Sequence, residues 1–389
     1  MTPNIVITYH RLNQKIENQF NSNLGLIKLS IMLYICFSFL YFPEIITKRA
    51  INSWSVQDHN IQSFVNEKIK QPFKPIQRLE IGEHLSKREL RLSPYLIGKV
   101  LHLEAVKLFY LQAIVFLPLF IFFCLKTIHQ LSKDHVIAFY GTIALLASYV
   151  GNSFNYDTYF FDSFAYLGLI AAVYYRNHWS LIPILLVTYF VDERSVVPST
   201  AIFIISNLNE SNQLPRGFIN AILRNRTFWQ IACAILVYCT IRLFLFLHFE
   251  LNTPIGQGSG IRLFTALRFK FKVPGALFSA IKLNLLLVYL ACVQLFKTKN
   301  GILAYAFSIM LSIILLVSTA VEDVTRSLAY AFPLLFIYYA FISQDANELK
   351  NKRLFICLIA VINLLLPTYT LLLKLYQIPL FGWINLFLS

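Results

Sequence analysis

The chain has 389 residues, of which 57% are hydrophobic and 14% are charged, and its formal net charge is +15 at pH 7. Soluble domains carry about 25% charged residues, so this composition excludes an ordinary soluble protein. Apolar runs of bilayer-spanning length recur along the chain and predict an all-α, polytopic membrane protein. We attribute the positive net charge to basic loops that contact anionic lipid headgroups, and not to nucleic-acid binding.

The hydropathy pattern predicts about eleven transmembrane helices, within a range of nine to twelve, in one integral membrane domain covering 1–389. They lie near 25–46, 105–127, 136–151, 161–175, 180–191, 195–206, 228–249, 274–296, 301–321, 328–343 and 354–376. The runs 180–191 and 195–206 are short for a span of ~20 residues, so they are two tilted spans or one broken helix. No cleavable signal peptide is predicted, because residues 1–23 are polar.

The segment 47–104 follows the first span and is predicted to be an extramembrane or interfacial loop. In a first amphipathic stretch, glutamate and lysine residues alternate with four apolar residues, which are Phe64, Val65, Ile69 and Phe73. This pattern is typical of a helix that lies in the membrane interface with its apolar side down. A second amphipathic stretch covers 84–102 and is expected to break at Pro94.

Three acidic breaks separate apolar runs: Asn152–Ser163, Val191–Ser195 and Glu322–Ser327. A charge near the hydrocarbon core costs about 2.5–3.5 kcal/mol on insertion scales, so such residues are functional candidates. With eleven spans and a cytoplasmic N-terminus, all three breaks emerge on the same side of the membrane. The pattern therefore predicts one shared polar site.

The first break holds Asp157 and Asp162 among aromatic residues. Aromatic rings stack on sugars, and they also form the belts found at membrane interfaces. We take Asp157 as a candidate substrate-binding residue. Asp162 precedes an apolar run and is predicted to be a helix N-cap.

The second break holds Asp192, Glu193 and Arg194 in succession, followed by Pro198. Adjacent residues on a helix point about 100° apart, so all three could face one partner only if the backbone unwinds. Asp192 and Glu193 are candidate catalytic carboxylates, and Arg194 is a candidate substrate-binding residue. The alternative is a buried acid–arginine pair that fixes a helix break.

The third break and one isolated arginine complete the charged candidates. Glu322 and Arg326 are four residues apart, a spacing that suits a helical ion pair, and Asp323 lies between them. In the functional interpretation Arg326 binds a phosphate, because its planar guanidinium group can donate two parallel hydrogen bonds to phosphate oxygens. Arg242 lies inside an apolar run and is a candidate counter-ion for a carboxylate or a lipid phosphate.

Neither a disulfide framework nor a metal site built by the protein is predicted. The six cysteines form no CxxC pair, and the eight histidines show no HExxH spacing or helical pair. A divalent cation is kept as an optional cofactor.

Three stretches, 84–101, 154–199 and 323–340, resemble bacterial polytopic membrane proteins that carry a DER motif. The chain also resembles, more broadly, the GT-C glycosyltransferases, which have many spans and a long first loop with interfacial helices. That resemblance implies a polyprenyl-phosphate sugar as substrate and a carboxylate that activates the acceptor or a metal, and Asp58 is the nearest positional candidate. The chain departs from the family pattern because no Asp-Glu pair follows the first span and no DxD motif is present.

Three functions remain open at this point. The first is a GT-C-like transferase that moves a sugar from a lipid carrier in envelope glycan or glycolipid synthesis, in a bacterial inner membrane with the N-terminus cytoplasmic. The second is a transporter or flippase of a lipid-linked or anionic glycan, and the third is a non-catalytic assembly protein. The candidate catalytic residues are Asp58, Asp192 and Glu193, and the candidate substrate-binding residues are Arg88, Asp157, Arg194, Arg242, Glu322, Asp323 and Arg326.

Overall fold

The computed structural model describes residues 3–20, 22–41, 59–75, 88–156, 161–210, 225–251, 273–297, 301–320, 323–343, 349–369 and 375–377. Its elements are α1 (Pro3–Phe20), α2 (Asn23–Tyr41), α3 (His59–Lys70), α4 (Leu92–Val100), α5 (Ala105–Ser132), α6 (His135–Leu146), α7 (Tyr149–Tyr156), α8 (Asp162–Tyr174), α9 (Leu181–Tyr189), α10 (Val196–Ser199), α11 (Ala201–Glu210), α12 (Arg226–Phe249), α13 (Val273–Ile281), α14 (Leu285–Lys297), α15 (Gly301–Ala320), α16 (Val324–Ala329), α17 (Leu335–Ile342), α18 (Leu349–Leu365), β1 (Thr368–Tyr369) and β2 (Leu375–Gln377).

The described residues confirm an all-α helical membrane protein, with one short antiparallel β1–β2 ribbon. Among them, six helices are long and apolar enough to cross a membrane, and α6 with α7 makes a seventh if that pair, bent by 64°, is one span. Several other helices are shorter than the ~20 residues that the hydrocarbon core requires. The count of eleven therefore stays a prediction.

The centre of the bundle is formed by α5 and by the segment that comprises α16 and α17. Residues 324–342 are buried along their whole length, and α5 packs against α2, α6, α8 and α17. By contrast, α12 and α15 each have many exposed large apolar side chains, as expected for lipid-facing helices. Arg326, the charged residue within α16, is therefore enclosed by protein.

Close helix contact also orients the elements that carry the acidic breaks. Gly168 of α8 faces α9, and a Cβ atom at this position would lie only 2.0 Å from Thr188 Oγ1. Only glycine permits this approach without displacement, because real Cβ contacts are never so short. The crossing fixes the start of α8 relative to the end of α9.

The amphipathic helix predicted in the first long loop is present as α3, but its surroundings differ from the prediction. Phe64, Val65 and Ile69 are buried by protein: α3 packs on α4 and α5, and the Phe64 and Tyr95 ring centroids are 6.4 Å apart. Gly98 of α4 leaves room for the Ile69 side chain. The apolar side of α3 is thus covered by neighbouring helices and not by lipid.

Candidate functional site

Four segments that are distant in sequence bring charged side chains into one cluster. Asp162 begins α8, Asp192 and Arg194 lie in the break between α9 and α10, Arg326 lies on α16, and Arg91 precedes α4. The three acidic breaks are therefore neighbours in space, as the shared-site hypothesis expected. We call the residues Arg91, Asp162, Asp192, Arg194 and Arg326 the Asp–Arg cluster.

Asp162 is the most enclosed member, with no exposed surface. Its carboxylate accepts hydrogen bonds from Nε and Nη2 of Arg326, the latter at 3.0 Å, and from the Tyr330 hydroxyl at 3.0 Å. Arg91 Nη1 lies 3.3 Å away and Arg194 Nη2 3.5 Å away. Three guanidinium groups thus share one carboxylate.

The interpretation of Asp162 as an N-cap is wrong. The cap position is occupied by Phe161, which has a left-handed φ of 59° and makes no side-chain cap bond. A bulky residue rarely adopts this conformation, which costs about 1–3 kcal/mol. The strained turn places the Asp162 carboxylate toward the arginines, where ion pairing takes the place of capping.

Asp192 joins the same arginines from the other side. Arg194 binds it through Nε at 2.8 Å and Nη2 at 2.7 Å, and Arg91 Nη2 lies 2.5 Å away. The Asp192 side chain also accepts a bond from the Arg194 backbone N–H at 3.0 Å, which caps a single 3-10 turn at Glu193–Ser195. The alternative interpretation of this break, a buried acid–arginine pair that fixes it, is therefore the arrangement observed.

Each buried charge of the cluster has several partners. Moving an ion out of water costs several kcal/mol, and an ion pair offsets this only when its remaining hydrogen bonds are satisfied. Arg194 meets that condition: its Nη1 donates to Ser327 Oγ at 2.8 Å, and its guanidinium lies 4.9 Å from the Tyr330 ring centroid. The arginine forks are thus held in fixed planes.

Two of the arginines reach the protein surface. The exposed fraction of the side chain is 13% for Arg91 and 17% for Arg194, whereas Asp162 and Asp192 are fully enclosed. Of the five residues of the cluster, the arginines thus have more exposed side-chain surface than the two aspartates. This arrangement suits an anion better than a cation.

Glu193 is exposed, unlike Asp192 before it. It lies close enough to Tyr238 of α12 to interact electrostatically with that hydroxyl, as does Asp192. Arg242 Nη1 donates to the same hydroxyl at 2.7 Å. The structure thus brings Arg242 beside the second break, with Tyr238 between them.

Asp323 and Arg88 border the cluster. Asp323 is 46% exposed and lies 3.4 Å from Arg326 Nη1. Arg88 is buried in the turn before Arg91, and its carbonyl accepts bonds from the Tyr95 hydroxyl and the Arg91 N–H. Burial, together with the nearby guanidinium groups of Arg91 and Arg326, lowers the pKa of Arg88 to about 10.

The remaining predicted site residues, Asp58, Asp157 and Glu322, lie outside the described residues. Among the described residues, Arg326 pairs with Asp162, Asp192 and Asp323. The catalytic assignment of Asp58, Asp192 and Glu193 stays a prediction. For Asp192, however, both carboxylate oxygens already accept bonds from guanidinium groups, which is the environment of a counter-ion.

Sequence reasoning missed Arg91 and Tyr330 as members of the site, and it gave Asp162 of the first break only a capping role. Arg91 was one of several basic residues in an amphipathic stretch, and Tyr330 one of many aromatics. A usable signal did exist for Asp162, since a carboxylate at the edge of an apolar run is costly unless it is paired.

The described residues do not fit a divalent cation at the cluster. No group of three or more His, Cys, Asp or Glu side chains within the described ranges has metal-binding geometry. The carboxylates of Asp162 and Asp192, which a cation would need, are already bound by arginine.

Comparison of the chain with protein-family models, with curated proteins and with solved structures found no match. The resemblances to DER-motif membrane proteins and to GT-C glycosyltransferases therefore stay predictions.

Proposed function

We propose that the protein is a membrane glycosyltransferase, GT-C-like in organisation, that binds a polyprenyl-phosphate sugar with the phosphate at the Asp–Arg cluster. The observation that supports it is the convergence of three guanidinium groups on two buried carboxylates, with the side chains of Arg91 and Arg194 partly exposed. Planar guanidinium groups recognise phosphate in a bidentate manner. In this proposal the protein lies in a bacterial inner membrane with its N-terminus in the cytoplasm.

Asp162 and Asp192 act as positioning residues in this proposal. The positively charged guanidinium groups of the cluster repel one another. The two carboxylates offset that repulsion and fix the orientation of the guanidinium planes. A phosphate that reaches Arg91 and Arg194 then meets donors that are already oriented. Such preorganised donors stabilise charge that develops on a leaving group.

The transfer step itself uses the exposed carboxylate at the same break. The bond between the sugar C1 and the phosphate oxygen breaks, and the electron pair stays on the phosphate, whose added charge the arginines stabilise. An acceptor hydroxyl oxygen forms the new bond to C1 and gives its proton to Glu193, which acts as general base. The products are a glycosylated acceptor and the lipid phosphate.

A second candidate, the transporter or flippase, is favoured by the broken helices. The α6–α7 pair bends by 64°, and 3-10 turns interrupt the helices at Glu193–Ser195 and Lys282–Asn284. Discontinuous helices at membrane depth form substrate and ion sites in transporters. A non-catalytic assembly protein is the third candidate, and it predicts that the buried charges pair with each other, as the charges of the Asp–Arg cluster do.

A transfer assay with purified protein in liposomes separates the three functions. The probe is a panel of polyprenyl-phosphate sugars radiolabelled in the sugar, supplied with a bacterial membrane extract as acceptor. We expect label in a new covalent product, and a reduction of about 100-fold or more for Glu193→Gln and of about 100-fold for Arg194→Lys, which keeps the charge but loses the fork. Arg226→Lys is the control, because Arg226 stacks on Trp179 at the opposite end of α12 from Arg242.

Each alternative has a distinct outcome in that assay. Movement of labelled lipid across the bilayer without a new covalent product would overturn the transferase and support the transporter. If the wild-type protein neither transfers the sugar nor moves any labelled lipid across the bilayer, the result would overturn the transferase and the transporter and support the assembly protein. Glu193→Gln at full wild-type transfer rate would remove Glu193 as the base, whatever the rate of Arg194→Lys.

A further inference from the structure

A basic surface cleft lies apart from the Asp–Arg cluster, where the end of α3 meets the ends of α4 and α12. Its volume is about 620 Å³. Its lining includes three exposed lysines, a histidine and one acid: Lys70, Lys74, Lys99, His248 and Glu250. With three lysines against one glutamate, this lining attracts an anion.

The walls of the cleft are held by specific contacts. Lys68, which is fully buried, donates from Nζ to the Lys74 carbonyl at 2.8 Å and so fixes the loop that follows α3. Phe73 of this loop packs on Phe249 at the end of α12, with ring centroids 5.4 Å apart. Lys74 is therefore presented by a defined turn, whereas Lys70 and Lys99 lie at the ends of α3 and α4.

The cleft lies at one end of a lipid-facing span. Helix α12 has the length and composition of a transmembrane helix, and it ends at Phe249 with Glu250 in a left-handed cap conformation. Below the cleft its exposed surface is apolar, with Leu243 58% and Leu247 63% exposed. A molecule that is seated in the cleft and carries a hydrocarbon tail can lay that tail along this surface.

We propose that this cleft binds the phosphate headgroup of an anionic membrane phospholipid, whose acyl chain packs on the lipid-facing side of α12. Lysine is a compact point charge that binds phosphate without demanding one planar geometry. Basic residues at the membrane surface each contribute about 1 kcal/mol to binding anionic lipid. A free anion would use the lysines but not the apolar surface of α12, and the combination of both selects a lipid.

This site is independent of the proposed transferase activity. Helix α4 has Arg91 of the cluster before its first residue and Lys99 of the cleft near its last. Eight residues of helix correspond to about 12 Å, which places the two sites at opposite ends of α4. An anionic phospholipid here anchors the α3–α4 corner on α12, and loss of catalysis would not affect it.

The experiment titrates the purified full-length protein in detergent with phosphatidylglycerol and with phosphatidylcholine, and bound lipid is counted by native mass spectrometry. We expect tighter binding of phosphatidylglycerol, weakened about 100-fold when the three lysines are changed to glutamine. The variant carries Lys70→Gln, Lys74→Gln and Lys99→Gln. The matched control loses the same charge at three exposed lysines elsewhere: Lys28, Lys107 and Lys297.

Two further arms identify the ligand. Leu247→Ser is expected to weaken phosphatidylglycerol binding severalfold, and inorganic phosphate at the same concentration as the lipid is expected to displace little of it. Equal affinity for both phospholipids, equal loss in the control, or displacement by inorganic phosphate would overturn the proposal. So would a triple variant that loses binding of polyprenyl phosphate but keeps phosphatidylglycerol, because the cleft would then serve the substrate.

Discussion

Replacing Asp162 with asparagine tests whether the Asp–Arg cluster depends on its most buried carboxylate. The substitution keeps the shape of the side chain and removes one negative charge. Asp162 has no exposed surface and has ion-pair contacts with Arg91, Arg194 and Arg326. After the change, three guanidinium groups remain around a neutral amide whose NH₂ group cannot accept their hydrogen bonds.

The size of the effect follows from the geometry. At about 3.3 Å and an effective dielectric constant near 20, one ion pair contributes roughly 5 kcal/mol of Coulomb energy before desolvation. Removal of one partner from a buried pair costs about 3–5 kcal/mol net, because the other charge stays buried. Asp162 serves three partners, so we expect a loss in the free energy of unfolding at or above the upper end of that range. The total free energy of unfolding of a single domain is about 5–15 kcal/mol, so the expected loss is a large fraction of it.

The measurement is equilibrium unfolding in mixed micelles with increasing SDS, followed by circular dichroism, with size-exclusion chromatography to check the folded state. Asp323→Asn is the matched control, because Asp323 is 46% exposed and contacts a single arginine at 3.4 Å. Exposed ion pairs contribute about 0–1 kcal/mol, so the control should unfold almost as the wild type does.

A double variant tests the electrostatic cause directly. Arg326→Gln alone leaves Asp162 with fewer partners and is expected to be destabilising. Combined with Asp162→Asn it removes both charges of the closest pair, so the double variant should lose less stability than the sum of the two single changes. Equal stability of Asp162→Asn and Asp323→Asn, or strict additivity in the cycle, would refute this account of the cluster.

Two packing predictions follow from other parts of the bundle. Gly168→Leu should lower the free energy of unfolding by about 1–3 kcal/mol or prevent folding, because its side chain overlaps Thr188, and a wild-type melting temperature would contradict this close contact. Asn363→Leu should cost about 1–3 kcal/mol, because the Leu283 N–H, which donates to Asn363 Oδ1 at 3.0 Å, is left without that acceptor; the exposed Asn351→Leu on the same helix is the control in the same SDS titration.

The position of the charged breaks could be read from the sequence, whereas their partners could not. A carboxylate or arginine between apolar runs stands out because it is costly there, and this singled out Asp192, Arg194 and Arg326. Arg91 carries no such signal, since it lies in a stretch with several basic residues, and it meets Asp192 across 101 positions. Pairing over that distance is decided by how α4, α8, α9 and α16 pack together.

Asp162 shows why a correct local rule can give a wrong role. An aspartate before an apolar helix satisfies every sequence criterion for an N-cap. The tertiary structure instead brings three arginines to it, and a charge-assisted ion pair with a guanidinium is stronger than a bond to one backbone N–H. Local preference decided that a helix begins there, and packing decided what the carboxylate binds.

The sequence by itself determined that this is a helical membrane protein, because some 20 apolar residues in succession can bury their backbone polar groups in lipid only as a helix. It also located the charged break at Val191–Ser195 and indicated that α3 has one apolar side. Only the tertiary structure decided that this side is covered by α4 and α5, that residues 324–342 are buried all round, and that three acidic breaks form one cluster with Arg91. The physical reason is that hydropathy records how strongly a residue avoids water, whereas lipid and a neighbouring helix satisfy that requirement equally well.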